Sequence, residues 1–371
     1  MKTPAAELYR RVASQDDGPA WLPPLRLAAA ALSRLYGLAA GGHHLAYDLG
    51  WADTRRLPVP VIGVGNLTVG GTGKTPLVME VVKALQGLGL PCAVISRGYG
   101  GQVKDGVAWV SRGQGPLMDA AQAGDEPVLL AKRLAVPVAV GPDRFLVGQE
   151  VVRRLGPCVL VGDDLFQHRG LHRDLDLVAL DAAQPLGNGR LLPRGPLREP
   201  SRGLRRASAI VLTHADDPDR EQATRTWLRA FWCRGPVLSC RHRVSGLHDL
   251  EGRELSRDVW IGQRVLAFCG LGAPEKFARG LGGLGLEVAS LQAFGDHHPF
   301  LAADLAGLWQ KAQAFGATAL VTSEKDWVRL PPDLPQGIEV WTTRLELDFT
   351  PGGPSLAQVL PWGLSAWARR A

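Results

Sequence analysis

Apolar runs and polar breaks alternate along this chain at two different periods. The runs VIGVGN (61–66), PCAVIS (91–96), VPVAVG (136–141), CVLVGDD (158–164), LDLVALD (175–181) and AIVLT (209–213) are nearly continuous in apolar residues. That is the signature of strands covered on both faces. Between them, LVMEVVKALQ (77–86) and the segments 126–134, 144–155 and 218–232 carry apolar residues at helical spacing. Strand alternating with helix predicts an α/β fold, a mostly parallel sheet with helices on both faces. Asp105-Gly106 predicts a hairpin returning through VAWV (107–110). After a β-rich stretch, 236–262, a second βαβ series starts with VLAFCGLG (265–272) and runs to ALVTS (319–323). The pattern therefore predicts an N-terminal helical segment (1–55), a larger α/β core (56–230) and a smaller α/β domain with a C-terminal tail (231–371).

The most informative junction is VIGVGNLTVGGTGKTP (61–76), an apolar run, then a glycine-rich loop, then Gly73-Lys74-Thr75 opening a helix. Loop N–H groups and the helix N-terminus form an anion cradle in such a junction. Thr68, Val69, Gly70, Gly71, Thr72, Gly73, Lys74, Thr75 and Pro76 make up the expected phosphate loop. Lys74 would reach the outer phosphates and the Thr75 hydroxyl a magnesium ion. The strict pattern asks for glycine where this chain has Thr68; Gly70 and Gly71 supply backbone freedom instead.

Asp163 and Asp164 close an apolar strand, where a second nucleotide motif holds magnesium. Gln167 and His168 follow at the same crevice. Asp125-Glu126 stands at a helix start. Asp125 either caps that helix or accepts a proton from an attacking hydroxyl, and Asp296-His297-His298 offers a partner for the second role. Arg144 follows a strand and is shaped to clamp a phosphate, as are Arg194 and Arg198 in the Gly-, Pro- and Arg-rich connection 187–207. Gly270 and Gly272 begin a dinucleotide fingerprint that fails at Glu275, which argues against a nicotinamide or flavin cofactor.

Charge and composition narrow the partners. Among 371 residues, 42 Lys and Arg against 36 Asp and Glu leave a formal charge of +6, compatible with phosphate-rich ligands or an anionic membrane face. Without a basic tail or interleaved aromatic and basic residues, nucleic-acid binding has no support. Cys92, Cys158, Cys233, Cys240 and Cys269 form no C-x-x-C pair and read as reduced thiols. Residues 21–50 are apolar but broken by Arg26, Arg34, His43, His44 and Asp48, so they do not read as a membrane span. Leu25, Ala28, Ala29, Leu32 and Tyr36 share one helical face, suited equally to a membrane interface and to packing on the protein.

The motifs VIGVGNLTVGGTGKTP, SRGYGG, GDEP, GPDR, GDDLFQH, GNGRLLPRGPLREP, FCGLGAPEKF, FGDHHPF and TSEKDWVRL occur in this order. Together they resemble the tetraacyldisaccharide 4'-kinase family of lipid A biosynthesis, from about residue 20 to 330, and Thr68 belongs to that family's pattern. The resemblance implies a P-loop kinase that uses ATP and Mg2+. Its substrate would be a tetraacylated glucosamine disaccharide 1-phosphate, phosphorylated on the 4'-hydroxyl at the cytoplasmic face of the bacterial inner membrane. It implies an N-terminal amphipathic helix on that membrane and no obligate protein partner. Asp125 and His297 would activate the hydroxyl. Thr75, Glu126, Asp163 and Asp164 would hold the metal. Asn66, Arg97, Arg144, Gln167 and His168 would contact substrate. Leu165 and Gly295 stand where the family usually has glycine and often has proline. The alternative reading is a P-loop ATPase that couples hydrolysis to assembly at a membrane.

Overall fold

A computed structural model describes residues 4–14, 22–232, 234–331, 334 and 337–368. Two helices lead, α1 (Pro4–Ala13) and α2 (Leu22–Asp48). The first half then runs β1 (Val61–Asn66), α3 (Lys74–Gly87), β2 (Cys92–Ser96), β3 (Ala108–Arg112), α4 (Ala120–Ala123), α5 (Asp125–Arg133), β4 (Pro137–Val140), α6 (Arg144–Leu155), β5 (Val159–Gly162), β6 (Leu175–Asp181), β7 (Ala209–Thr213) and α7 (Pro218–Phe231). The second half contains β8 (Val237–His248), α8 (Arg257–Trp260), β9 (Arg264–Cys269), α9 (Pro274–Leu284), β10 (Glu287–Ala293), α10 (Ala302–Ala314), β11 (Ala319–Ser323), α11 (Glu324–Trp327), β12 (Val340–Phe349) and α12 (Leu356–Ala368).

The strands form one 12-stranded sheet in the order β10-β9-β11-β12-β8-β7-β6-β1-β5-β2-β4-β3. β8 joins its two halves. Val237–Ser239 run parallel to β7, and Cys240–His248 run antiparallel to β12. β1 is central to the first half, parallel to β5 and β6 and buried at all six positions. Its burial on both faces is why its sequence shows no alternation.

The expected hairpin at Asp105-Gly106 does not form. β3 lies antiparallel to β4, while β2 pairs with β4 and β5, because a parallel sheet leaves β2 no free edge for a local return. The C-terminal residues fold as α12, whose Val359 and Leu360 are buried against the first half, in one apolar cluster with Leu77 and Val81 of α3. Cys92, Cys158, Cys240 and Cys269 are buried free thiols, and Cys233 lies outside the described residues.

α2 is apolar on two opposite faces. Leu22, Ala29 and Ser33 are buried, with Ser33 Oγ donating to the Leu191 carbonyl at 2.8 Å and Tyr36 Oη to the Arg198 carbonyl at 2.6 Å. The opposite face exposes Leu27, Leu35, Leu38 and Leu45. Of the face expected from the sequence, Ala29 is buried and Tyr36 bonds to the protein, whereas Leu25 and Leu32 are exposed. No helix among the described residues is long and apolar enough to cross a membrane.

Because Leu360 is fully buried in the cluster shared with α3, Leu360→Ala leaves a cavity there. It should cost about 2–5 kcal/mol, read as a lower urea midpoint with an unchanged m-value.

Candidate active site

The phosphate loop is held from three sides. Asn66, at the end of β1, is fully buried and donates from Nδ2 to Thr68 O at 2.6 Å and Thr72 Oγ1 at 2.7 Å. Its Nδ2 thus braces the loop, while its Oδ1 is buried without a partner. From β7, Thr213 Oγ1 donates to the Thr72 carbonyl at 3.0 Å. On the third side, the long 187–207 connection runs beside the loop, with Val69 N donating to Pro196 O and Arg198 N to Leu67 O, both at 2.8 Å. Gly70 and Gly73 take positive φ, 113° and 75°. At Gly73 a β-carbon would also lie 2.5 Å from His242 Nε2, so glycine is required twice over. Lys74 opens α3 and is buried, with Pro76 in the first turn where its missing N–H costs nothing.

Behind Lys74 the carboxylates crowd. Lys74 Nζ lies 3.8 Å from Asp164 Oδ1, and Arg198 Nη1 donates to both oxygens of Asp164 at 2.8 and 2.7 Å. Burial alone would raise the Asp164 carboxyl, but Lys74 and Arg198 hold it below the usual carboxylate range. Asp163 has no such surplus of cations. Burial, with Glu126 and Asp164 nearby, pushes it up to about 8 against the opposing effects of Lys74 and Ser96 Oγ. Its Oδ1 is buried without a partner. A buried carboxylate oxygen with no donor, in a site with excess negative charge, suits a divalent cation.

Among the described residues no three His, Cys, Asp or Glu side chains form a cage of their own. Magnesium takes one or two carboxylates and completes its shell with phosphate and water. The Thr75 side chain is partly exposed at the loop mouth beside Lys74, and Glu126 acts electrostatically on Asp163. Leu165 does not open the loop. Its side chain is fully buried over Gly162, and its N–H donates to Val64 O at 3.0 Å.

The remaining predicted contacts surround this centre. Arg144 is buried at the start of α6; burial and then Arg97 lower its pKa, while Asp164 and Asp163 oppose them. Arg97 is exposed beside it. Burial, followed by Arg144, lowers His168 to about 4, so its ring is neutral at physiological pH. Gln167 Nε2 donates to Asn66 O at 2.7 Å and to Glu199 Oε1 at 3.0 Å. Arg194 and Arg198 part company: Arg198 enters the site, whereas Arg194 Nη1 donates to Val12 O at 2.7 Å, against α1.

Asp125 is not a cap. Gly124 occupies the N-cap of α5, and the Asp125 carboxylate accepts from His297 Nδ1 at 2.7 Å across 172 residues of sequence. His298 points elsewhere, to Asp304 at 3.1 Å and to the rings of Phe294 and Phe300. Of the two histidines, His297 is the one that meets Asp125. Sequence reasoning gave no role to Glu199, although it lies in one of the quoted motifs. It is 1% exposed and is gripped by Arg206 at 2.8 Å, His44 Nε2 at 3.1 Å and Gln167. Gly270, which looked like part of a dinucleotide fingerprint, donates its N–H to Asp326 at 3.1 Å.

A family model described as LpxK, tetraacyldisaccharide-1-P 4'-kinase, matches residues 25–361. The chain belongs to this tetraacyldisaccharide 4'-kinase family. A family member from Anaeromyxobacter dehalogenans strain 2CP-1 is 46% identical over 318 residues, covering 85% of this chain and 82% of the relative. One from Geobacter sulfurreducens is 38% identical over 359 residues, covering 95% and 98%. Among solved structures, the crystal structure of LpxK from Aquifex aeolicus in complex with ATP is 32% identical, with a TM-score of 0.75 over 91% of this chain and 98% of that one.

Burial tends to raise Glu199, but its hydrogen bond from His44 and the charge of Arg206 leave it below the usual carboxylate range. A depressed folded-state pKa stabilises above the unfolded value and is lost as pH falls through the folded one. Glu199→Ala should therefore cost about 3 kcal/mol near neutral pH, and its deficit relative to the parent should shrink as pH drops below about 4. Chemical denaturation across that range checks both.

Proposed function

We propose that this chain transfers the γ-phosphate of ATP to the 4'-hydroxyl of a tetraacylated glucosamine disaccharide 1-phosphate, the step named by its family. The observation that carries the reading is the pairing of Asp125 with His297 beside Glu126, which lies within electrostatic reach of Asp163 and so of the phosphate loop. Membership of a kinase family sets aside the ATPase alternative.

Phosphoryl transfer asks a protein for alignment and charge neutralisation more than for covalent chemistry. The loop N–H groups from Thr68 to Thr75 and the Lys74 ammonium would hold the outer phosphates. Asp163, with Asp164 and Thr75, would hold Mg2+, which neutralises charge on the phosphate oxygens when bound. The 4'-oxygen forms its bond to the γ-phosphorus as the bond to the bridging oxygen breaks, leaving ADP. Asp125 takes the hydroxyl proton, and His297, bonded to its Oδ2, fixes the carboxylate and shares that proton. Arg97 and Arg144 stand where they can meet phosphate. Residues 56–230 thus supply the phosphate side of the reaction, and residues 231–371 bring His297 to it.

We also place the protein on the cytoplasmic face of a bacterial inner membrane, as a peripheral rather than spanning protein. The support is the exposed row Leu27, Leu35, Leu38 and Leu45, continued by Leu49 and by Trp51 at 78% exposure. Apolar residues along a helix with a tryptophan at its end suit the boundary between headgroups and acyl chains. Acyl chains of the substrate would stay in that layer while the sugar enters the cleft.

With γ-labelled ATP and the lipid acceptor in detergent, Lys74→Ala should abolish labelling. Asp125→Asn should lower kcat by about 100-fold or more while ATP affinity is retained. An Asp125→Asn enzyme at the parental rate would remove the base from Asp125. Replacing Leu27, Leu35 and Leu38 together by serine should weaken partitioning onto anionic vesicles by about 10-fold or more and leave the rate in detergent unchanged. Undiminished partitioning would rule out this helix face as the membrane contact.

A further inference from the structure

The motif TSEKDWVRL has no task in the mechanism above, yet its last arginine reaches the reacting carboxylate. Arg329 follows α11 and is 6% exposed at its side chain. Its Nε lies 3.4 Å from Asp125 Oδ2, a charge contact without a hydrogen bond of good geometry. Its Nη2 donates to Asp326 Oδ1 at 2.7 Å. Asp326 is fully buried and is fixed by Ser323 Oγ at 2.6 Å and by the Gly270 N–H at 3.1 Å. Arg329 Nη1 also approaches the His298 carbonyl at 3.4 Å, in the turn that carries His297.

Two groups therefore converge on the same oxygen of Asp125, His297 Nδ1 at 2.7 Å and Arg329 Nε at 3.4 Å. No described residue hydrogen-bonds to Oδ1. With Oδ2 claimed twice, Oδ1 is the carboxylate oxygen left for a further donor. The anchor of this clamp sits at two strand ends: Gly270 follows directly after β9, and Ser323 is the last residue of β11. Two further contacts bind α5 to the same segment: Arg133 is ion-paired with Glu324, and Lys132 Nζ sits 4.0 Å over the Trp327 ring.

We propose that Arg329 is a positioning residue for phosphoryl transfer, holding the Asp125 carboxylate so that Oδ1 meets the acceptor hydroxyl, with Asp326 as its own support. The inference rests on Asp125 being the base. Lysine at 329 keeps the charge but cannot bridge Asp125 and Asp326 at once through a planar fork.

The test is a double-mutant cycle in the full-length protein. Initial rates of label transfer from ATP to the lipid acceptor in detergent are compared for the parent, Arg329→Met, Arg329→Lys, Asp125→Asn and both double variants. Arg329→Met should lower kcat by about 10- to 100-fold with both KM values near parental. Arg329→Lys should recover part of that loss and melt close to the parent. In the Asp125→Asn background neither substitution should slow the enzyme further, because Arg329 acts only through that carboxylate. If Arg329→Met does not fold, the lysine variant carries the cycle alone. An equal fold-loss in both backgrounds, or a parental kcat for the lysine variant together with the methionine variant, would overturn the positioning role. A slow Asp125→Asn with additive Arg329 effects overturns only this inference, whereas an Asp125→Asn enzyme at the parental rate overturns the base assignment beneath it.

Discussion

Three carboxylates stand behind one phosphate loop, and their mutual repulsion governs how the site is built. Asp164 is neutralised by Lys74 and Arg198, so it can stay ionised without a ligand. Asp163 is left with a single weak donor, Ser96 at 3.3 Å, and a bare oxygen. Burying such a group is costly unless a cation joins it. The site is consequently prepared for a metal–phosphate complex, and much of the surrounding chain serves to keep its parts in register. Asn66 and Thr213 fix the loop, Arg198 fixes Asp164, and Glu199 fixes the arginine-rich strip from which Arg198 projects.

β8 solves the second geometric problem. A phosphate loop on β1 and a histidine after β10 lie far apart along the sheet, with six strands between β1 and β10. A separate domain on a flexible linker would leave the Asp125–His297 distance loosely defined. A strand shared by both halves removes a hinge at that point, and α11 adds a second tie through Arg133 and Lys132. Catalytic alignment to within a fraction of an ångström is worth orders of magnitude in rate, so a stiff connection has a direct chemical use.

Elements dominated by local pattern were legible in the sequence. β6, β7 and α6 occupy 175–181, 209–213 and 144–155 as their periodicity implies. Elements defined by distant partners were not. β12 (VWTTRLELDF) is only half-buried and pairs antiparallel with β8, and α12 contains Pro361 inside a run that reads as a tail. The hairpin at Asp105-Gly106 was a local signal overruled by the sheet. Candidate chemistry followed the same division. The loop 68–76 and the Asp163-Asp164 pair are contiguous motifs, visible without the fold. The contact of Asp125 with His297 spans 172 residues, and nothing in spacing could pair them. Asn66 and Glu199 look polar and available in sequence, and only the fold shows that both are buried, Asn66 Nδ2 on the loop and Glu199 on Arg206 and His44.

The return of α12 to the first half has a consequence for biosynthesis. α12 closes the apolar cluster around α3, the helix that Lys74 opens, yet it follows every strand of the second half in the chain. During synthesis the phosphate-loop helix therefore waits with an uncovered flank while the whole second half is made. The nascent chain is exposed to misassembly for that interval. A chain that stops before α12 would carry Lys74, Asp125 and His297 and still leave the flank of α3 uncovered, so stable folding depends on a helix distant in sequence from the one it covers.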